Sequence, residues 1–288
     1  MYKIAILGCE NSHATNFLEL IDRGLYPEIE VMGVYSDSEK AVTRLNEKFG
    51  VKIMENYTDF VGQLDGVMIT ARHGDNHYKY AKPYMNDGIP MFIDKPITCY
   101  EDEAVAFMKE AKEKNLRFCG GSTCAALKET LELAAAAKDG SVGELLGGNV
   151  VAPLHSDSPY GGYYFYAQHL VEIMTTVFGE DVIEVLANRS ESSVTLLARY
   201  ASFNVTATYL EHVNHYSLSI YGKDAIRTEE LTFSTDSFRH EMDDMMDLLN
   251  GKPMKKSYES FIKPVFIINA ILRSIESGSW EKIQEPTI

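Results

Sequence analysis

Two side chains in this 288-residue chain are of types that could together carry acid–base chemistry and charge stabilisation. They are Lys95, in Asp94-Lys95-Pro96, and His169, in Gln168-His169-Leu170. An ammonium group stabilises negative charge developing on an oxygen. An imidazole, with an ordinary pKa near about 6.5, takes up or delivers a proton at neutral pH. Hydride transfer from an alcohol carbon needs both, together with a nicotinamide face. Arg72, in Thr70-Ala71-Arg72, is a cation that could grip an anionic substrate. His73 and His77 have a His-x-x-x-His spacing, which holds zinc only if both lie on one helical face; Gly74 and Asp75 argue for a loop there, so no metal is expected.

The elements that must position these groups alternate through the first part of the chain. Tyr2 to Leu7 reads as a short apolar strand, residues 13 to 23 as a helix capped by Ser12, and Glu30 to Tyr35 as a second strand. Ser38 to Phe49 is an amphipathic helix ending at Gly50, and Lys52 to Met54 a brief strand. Gly66 to Thr70, Pro90 to Ile93 and Leu116 to Gly120 read as strands, separated by helices at 76 to 87 and 101 to 114. This rhythm predicts an α/β fold, a doubly wound parallel sheet of Rossmann type, with ligands bound at the carboxyl ends of its strands. From about residue 121 the pattern changes to α+β. Helices are expected at 125 to 138, 160 to 178, 237 to 250 and 258 to 277. Strands at 145 to 152, 182 to 189, 193 to 200, 203 to 210 and 215 to 221 alternate in the manner of an open, mainly antiparallel sheet. The expected division is 1–120 for a dinucleotide and 121–288 for substrate and oligomerisation.

Charge and cysteine usage narrow the partners. With 42 acidic against 27 basic residues the formal charge is −15, which repels phosphate backbones and anionic membranes. Nucleic acid and membrane are therefore poor partners, and a small molecule is the expected one. Cys9, Cys99, Cys119 and Cys124 form no Cys-x-x-Cys pair, so neither a zinc knuckle nor a disulfide framework is expected. The apolar run before Gly8 is too short for a signal peptide. These features predict a cytoplasmic protein.

The first strand runs into Gly8-Cys9-Glu10-Asn11-Ser12-His13. A dinucleotide fingerprint would place glycine at 8, 10 and 13, and only Gly8 is present. Gly8 can still form the tight turn, and the helix N-terminus can still face a pyrophosphate. A Glu10 carboxylate pointing inward would repel it. After the second strand, Ser36-Asp37 offers an acid for the adenosine ribose hydroxyls, which favours NAD over NADP. Asp37 or Ser38 also reads simply as the cap of the next helix.

Two longer segments resemble the glucose–fructose oxidoreductase / inositol dehydrogenase (Gfo/Idh/MocA) family. In one, Val67 to His77 leads through a helix to Ile93-Asp94-Lys95-Pro96-Ile97; the family has Glu-Lys-Pro there, and a proline where this chain has Arg72. The other, Gly161-Gly162-Tyr163-Tyr164-Phe165-Tyr166-Ala167-Gln168-His169-Leu170-Val171-Glu172, is similar to the family's Gly-Gly…Asp-x-x-x-His-x-x-Asp helix. His169 fills the histidine slot and Glu172 the last acidic one, while Phe165 stands where most active members carry Asp. Ile220 to Ile226 and Ser274 to Gly278 match the late strand and final helix, so the likeness covers nearly the whole chain.

The resemblance implies a dehydrogenase or reductase of sugars, polyols or related compounds, using NAD(H), with NADP(H) as the alternative. Lys95 and His169 would be catalytic. Gly8, Glu10, Asn11, Ser12, His13, Ser36, Asp37, Thr70, Ala71, Arg72, His77, Asp94, Lys95 and Pro96 would meet the cofactor. Ser122, Thr123, His155, Phe165 and Tyr166 would join Lys95 and His169 around the substrate, although the family's Asn-Arg pair is absent at 122 to 124. A homodimer or homotetramer through the open sheet is expected. Phe165 and Glu10 also motivate a second reading, a catalytically idle relative that binds a nucleotide or metabolite.

Overall fold

The computed structural model describes residues 1–288. The chain begins β1 (Tyr2–Leu7), α1 (Ser12–Asp22), β2 (Ile29–Tyr35), α2 (Glu39–Phe49), β3 (Gly66–Ile69), α3 (Asp75–Ala81), β4 (Met91–Asp94), α4 (Glu101–Glu113) and β5 (Phe118–Gly121). The five strands pair in parallel in the order β2-β1-β3-β4-β5. The short strands β3 and β4 are buried on both faces, as expected where helices cover both sides of a sheet. The strand order reverses between β1 and β3, which opens a crevice at their carboxyl ends. Gly8 sits at that reversal with φ +77°; a Cβ there would lie 2.4 Å from Cα of Ala71, so the turn after β1 and the loop after β3 touch backbone to backbone.

The second part adds α5 (Lys128–Ala136), β6 (Leu145–Leu154), α6 (Tyr164–Phe178), β7 (Glu184–Arg189), β8 (Ser193–Arg199), β9 (Asn204–Glu211), β10 (Ser217–Gly222), β11 (Ile226–Glu230), α7 (Arg239–Leu249), α8 (Tyr258–Ser277) and β12 (Glu281–Lys282). Its seven strands run β11-β10-β6-β9-β8-β7-β12. All pairings are antiparallel except β6 with β9, which run parallel. Alternate residues such as Val194, Leu196, Val205, Ala207 and Tyr209 are buried; the helices α5, α6 and α8 pack against this sheet. The intervening residues, among them Thr195, Thr206, Thr208, Asn149 and Ser219, form an uncovered face that is richer in hydroxyl groups than the strand sequences suggest.

Several boundaries move, each for a local reason. Helix α1 starts at Ser12, and its cap is Asn11, whose side-chain amide leaves the helix to reach Asp94. The helix expected from residue 160 begins at Tyr164, because Gly161 and Gly162 take φ +94° and +56°. The helix expected over 125 to 138 is a 3-10 turn, Thr123–Ala126, followed by α5. The strand expected at 52 to 54 is a single bridge from Ile53 to Val34, and β11 lies where no strand was expected. Helix α7 returns from the second part to the first sheet: Met242, Met245 and Leu248 pack with Ile4, Phe17, Met68 and Phe92. No helix is long and apolar enough to cross a membrane.

Candidate active site

The carboxyl ends of β1, β4 and β5 meet the first turn of α6 around a cavity of 270 Å³. Asn11, Ser12 and His13 line it from the start of α1, Arg72 from the loop after β3 and Lys95 from the end of β4. Thr123 and Cys124 follow β5, and Phe165, Tyr166 and His169 come from α6. Lys95 and His169, 74 residues apart in sequence, therefore share one wall. Lys95 is only 3% exposed and forms no side-chain hydrogen bond or ion pair; its ammonium stands 5.1 Å from the centre of the Phe165 ring and 5.7 Å from that of Tyr166. Two aromatic faces thus receive the ammonium.

His169 is buried, and its Nδ1 lies 2.6 Å from the Ser122 hydroxyl and 3.3 Å from Sγ of Cys124. That leaves Nε2 for the cavity. Burial and the Lys95 charge hold its pKa well below the usual histidine value, lower than the near-neutral shuttle the sequence suggests. The resting ring is therefore neutral, with its charged form disfavoured by burial and by Lys95. Glu172 takes no part in this wall. It accepts hydrogen bonds from Ser122 N (3.0 Å) and Gln168 Nε2 (2.5 Å) and pairs with Lys256 at 3.1 Å, which ties the end of β5 to α6 from behind.

Beneath Lys95 lies a buried polar cluster. Asp94 accepts from Asn11 Nδ2 (2.7 Å) and from Lys95 N (2.7 Å), and His13 Nδ1 stands 3.2 Å from it. His13 Nε2 lies 3.1 Å from the Thr123 hydroxyl, which donates to Glu241 on α7 at 2.6 Å. Burial pushes the Asp94 carboxyl up to about 7 and Glu241 well above the usual range, and holds His13 well below. The cluster thus carries little net charge, as its burial requires.

An outer groove continues the cavity along Glu10, Ser12, Thr15, Asn16, Arg44, Lys48 and Arg72. Arg44, Lys48 and the first turn of α1, with no side-chain cap, make it suitable for a dinucleotide's pyrophosphate. Glu10 is turned aside: it accepts from the Ser36 hydroxyl (2.6 Å) and from Arg72 N (3.0 Å), linking the ends of β1, β2 and β3. Asp37, just past β2, accepts from the Tyr35 hydroxyl (2.6 Å) and the Tyr80 hydroxyl (3.2 Å). The residues present fit a dinucleotide at this edge.

Other predicted site residues support the loops. Thr70 donates its hydroxyl to Gly8 O at 3.1 Å, and Ala71 packs against Gly8. His77 does not line the cleft. It is fully buried, with Nδ1 2.6 Å from Pro96 O and Nε2 2.9 Å from Ala71 O, so it clamps the loops after β3 and β4 together. Burial lowers its pKa to about 4, so the neutral ring donates to only one of these carbonyls; enclosed between them it lies apart from His73, whose neighbours are Asp75 and Cys99. His155 sits behind the wall, its ring edge-on to Tyr166 at 4.7 Å. Asn214, Tyr216, Phe233 and Phe238 complete the cavity and were not foreseen. They lie in connections between strands or just before α7, where no periodicity or motif marks them.

The arrangement is that of a two-domain dinucleotide oxidoreductase fold, with a parallel nucleotide sheet and a mainly antiparallel sheet meeting over one cleft. Residues 2–121 match the model of the Gfo/Idh/MocA family, an oxidoreductase family described as having an NAD-binding Rossmann fold. A sequence search of curated proteins finds no match. Among solved structures, myo-inositol 2-dehydrogenase from Lactobacillus plantarum superposes with a TM-score of 0.83 at 16% identity, over 98% of this chain and 99% of the other. Scyllo-inositol dehydrogenase from Lactobacillus casei, with bound NAD(H) and scyllo-inositol, does so with 0.83 at 15%, over 98% and 99%. The myo-inositol dehydrogenase from Corynebacterium glutamicum gives 0.81 at 14%, over 99% of both chains. At these identities the likeness is one of fold.

Proposed function

We propose that the chain is an NAD-dependent dehydrogenase or reductase that moves a hydride between nicotinamide and a CH–OH carbon of a small polyhydroxylated compound, with residues 1–120 holding the cofactor and 121–288 the substrate. The observation that carries this reading is the single cavity walled by both Lys95 and His169, continuous with the start of α1. NAD, when bound along that edge, supplies the hydride acceptor. His169 Nε2 takes the hydroxyl proton as the carbon–hydrogen bond breaks; Ser122 fixes the ring through Nδ1. Lys95 lies where its charge stabilises the developing alkoxide, and its burial strengthens that effect. Asp94, bonded to Lys95 N, and His77, clamping the loop at Pro96, hold the lysine in place. Assembly into a homodimer or homotetramer through the uncovered face of the second sheet remains part of this reading, and gel filtration tests it.

The test of function is calorimetry with NADH, followed by turnover of a panel of inositols, sugars and alditols, read from NADH absorbance. Binding and turnover, both lost in Lys95→Ala, are expected. A chain that binds no NADH refutes the reading, and NADH binding with no turnover across the panel returns the idle-relative alternative that Phe165 motivates.

A further inference from the structure

We propose that the substrate of this cleft carries an anionic group, of which carboxylate is the simplest form, held by Arg72 where the cavity meets the outer groove. The inference rests on the hydride-transfer reading and adds the charge class of the substrate. Its basis is the distribution of charge. The chain holds 42 acidic residues against 27 basic, yet the cavity wall contains no Asp or Glu and two cations, Lys95 and Arg72. In a protein of charge −15 such a wall is a local reversal of sign, which concentrates anions.

Neither cation has an anionic partner. Lys95 has only the faces of Phe165 and Tyr166. The Arg72 guanidinium lies 5.0 Å from the centre of the Tyr160 ring, and its Nε is enclosed with no hydrogen-bond partner. The nearby Glu10 carboxylate is committed to Ser36 and to Arg72 N, and no ion pair joins it to the guanidinium. Asp94, the acid closest in sequence to Lys95, is turned to Asn11 and to the Lys95 backbone, and burial holds it toward its neutral form. No side-chain hydrogen bond or ion pair engages the guanidinium where it lines the cavity, and a planar carboxylate pairs with its fork of donors in a way a single hydroxyl cannot. Phe165 acts in the same direction: one helical turn before His169 it offers no acceptor to substrate hydroxyls and no charge to repel an acid.

The division of labour follows. Lys95 and His169 act at the reacting carbon, Arg72 holds the anionic end, and the rings of Tyr216, Phe233 and Phe238 border the remaining volume. The measurement is calorimetry of the full chain saturated with NADH, using matched pairs that differ in one carboxylate: D-gluconate and sorbitol, D-galactonate and galactitol, lactate and propane-1,2-diol. At least one acid is expected to bind about tenfold or more tightly than its alcohol, as a charge-assisted pair implies. Arg72→Gln should remove the difference and Arg72→Lys keep part of it. Phe165→Asp, which sets a carboxylate beside Lys95, should reverse the preference and serves as the independent variant. Alcohols binding as tightly as their acids, no acid binding at all, or an acid advantage that survives Arg72→Gln would each overturn the proposal. Loss of NADH affinity alone in Arg72→Gln would instead assign the guanidinium to the cofactor and also overturn it. If the wild-type chain binds no NADH, the hydride-transfer reading falls, while the same acid–alcohol comparison without cofactor still decides the charge of the ligand.

Discussion

The Ser122 hydroxyl lies 2.6 Å from Nδ1 of His169, and this contact joins the end of the nucleotide sheet to the helix that carries the proposed base. Ser122 also caps the 3-10 turn that follows β5, accepting from Cys124 N at 3.2 Å. It is therefore a positioning residue. Ser122→Ala should lower kcat by about tenfold, less than the roughly 100-fold or more expected from loss of the base itself, and leave KM nearly unchanged. Steady-state kinetics on the best substrate of the panel provide the check, and Ser122→Thr, which keeps the hydroxyl, should recover most of the rate. An unchanged kcat in the alanine variant would remove Ser122 from the mechanism.

Asp37 should set the choice of dinucleotide. Its carboxylate, just beyond β2 and exposed at the sheet edge, would face a 2′-phosphate across like charge. NADH is expected to bind at least about tenfold more tightly than NADPH, and Asp37→Ser to narrow that ratio mainly by improving NADPH. Calorimetric dissociation constants for the two cofactors decide it.

Asp94 gives stability a pH dependence of defined sign. In the folded chain burial pushes its carboxyl up to about 7. In the unfolded chain it ionises near its ordinary value of about 3.9. Between those values the folded state keeps a proton that the unfolded state has lost, so this contribution is complete below the lower value and disappears as pH rises through the upper one. Asp94→Asn should therefore gain stability relative to wild type as pH rises across the window, by up to about 1.4 kcal/mol per pH unit. Urea midpoints measured between about pH 4 and about pH 8 test this; a difference between the two proteins that does not vary with pH counts against it.

Glu172 is expected to matter for folding more than for chemistry. It is 3% exposed and takes hydrogen bonds from Ser122 N, Gln168 and Lys256. Glu172→Ala leaves these donors without an acceptor and should destabilise the chain by about 3 kcal/mol. Glu172→Gln, which keeps an acceptor oxygen, should lose less. Chemical denaturation gives both values, and a neutral alanine variant would show that water or Lys256 rearranges to replace the carboxylate.

Much of this molecule could be read from one dimension because its signals are local. The alternation of Tyr2 to Leu7, Glu30 to Tyr35 and Gly66 to Thr70 with amphipathic helices predicts a parallel sheet, and Lys95 falls just past the end of β4 whatever the rest of the chain does. His169 was singled out by the resemblance of its segment, Gly161 to Glu172, to the family's histidine helix. The partner of β6 was not: pairing with β9 in parallel depends on the order in which distant strands stack, which no short window contains. Glu10 looked like an obstacle to phosphate, but Ser36 and Arg72 N, 26 and 62 residues away, turn it aside. His77 looked like a cleft residue, but two loop carbonyls enclose it.

The sequence by itself thus determined the elements, the nucleotide sheet and the reactive types at 95 and 169, because each depends on residues a few positions apart. Only the tertiary structure decided what surrounds those types. It put Phe165 and Tyr166 beneath the Lys95 ammonium, Ser122 behind His169, and Glu241 from α7 under Thr123. Such contacts join segments far apart in the chain, and their free energy comes from burial and from satisfying polar groups in three dimensions, which a linear pattern does not encode.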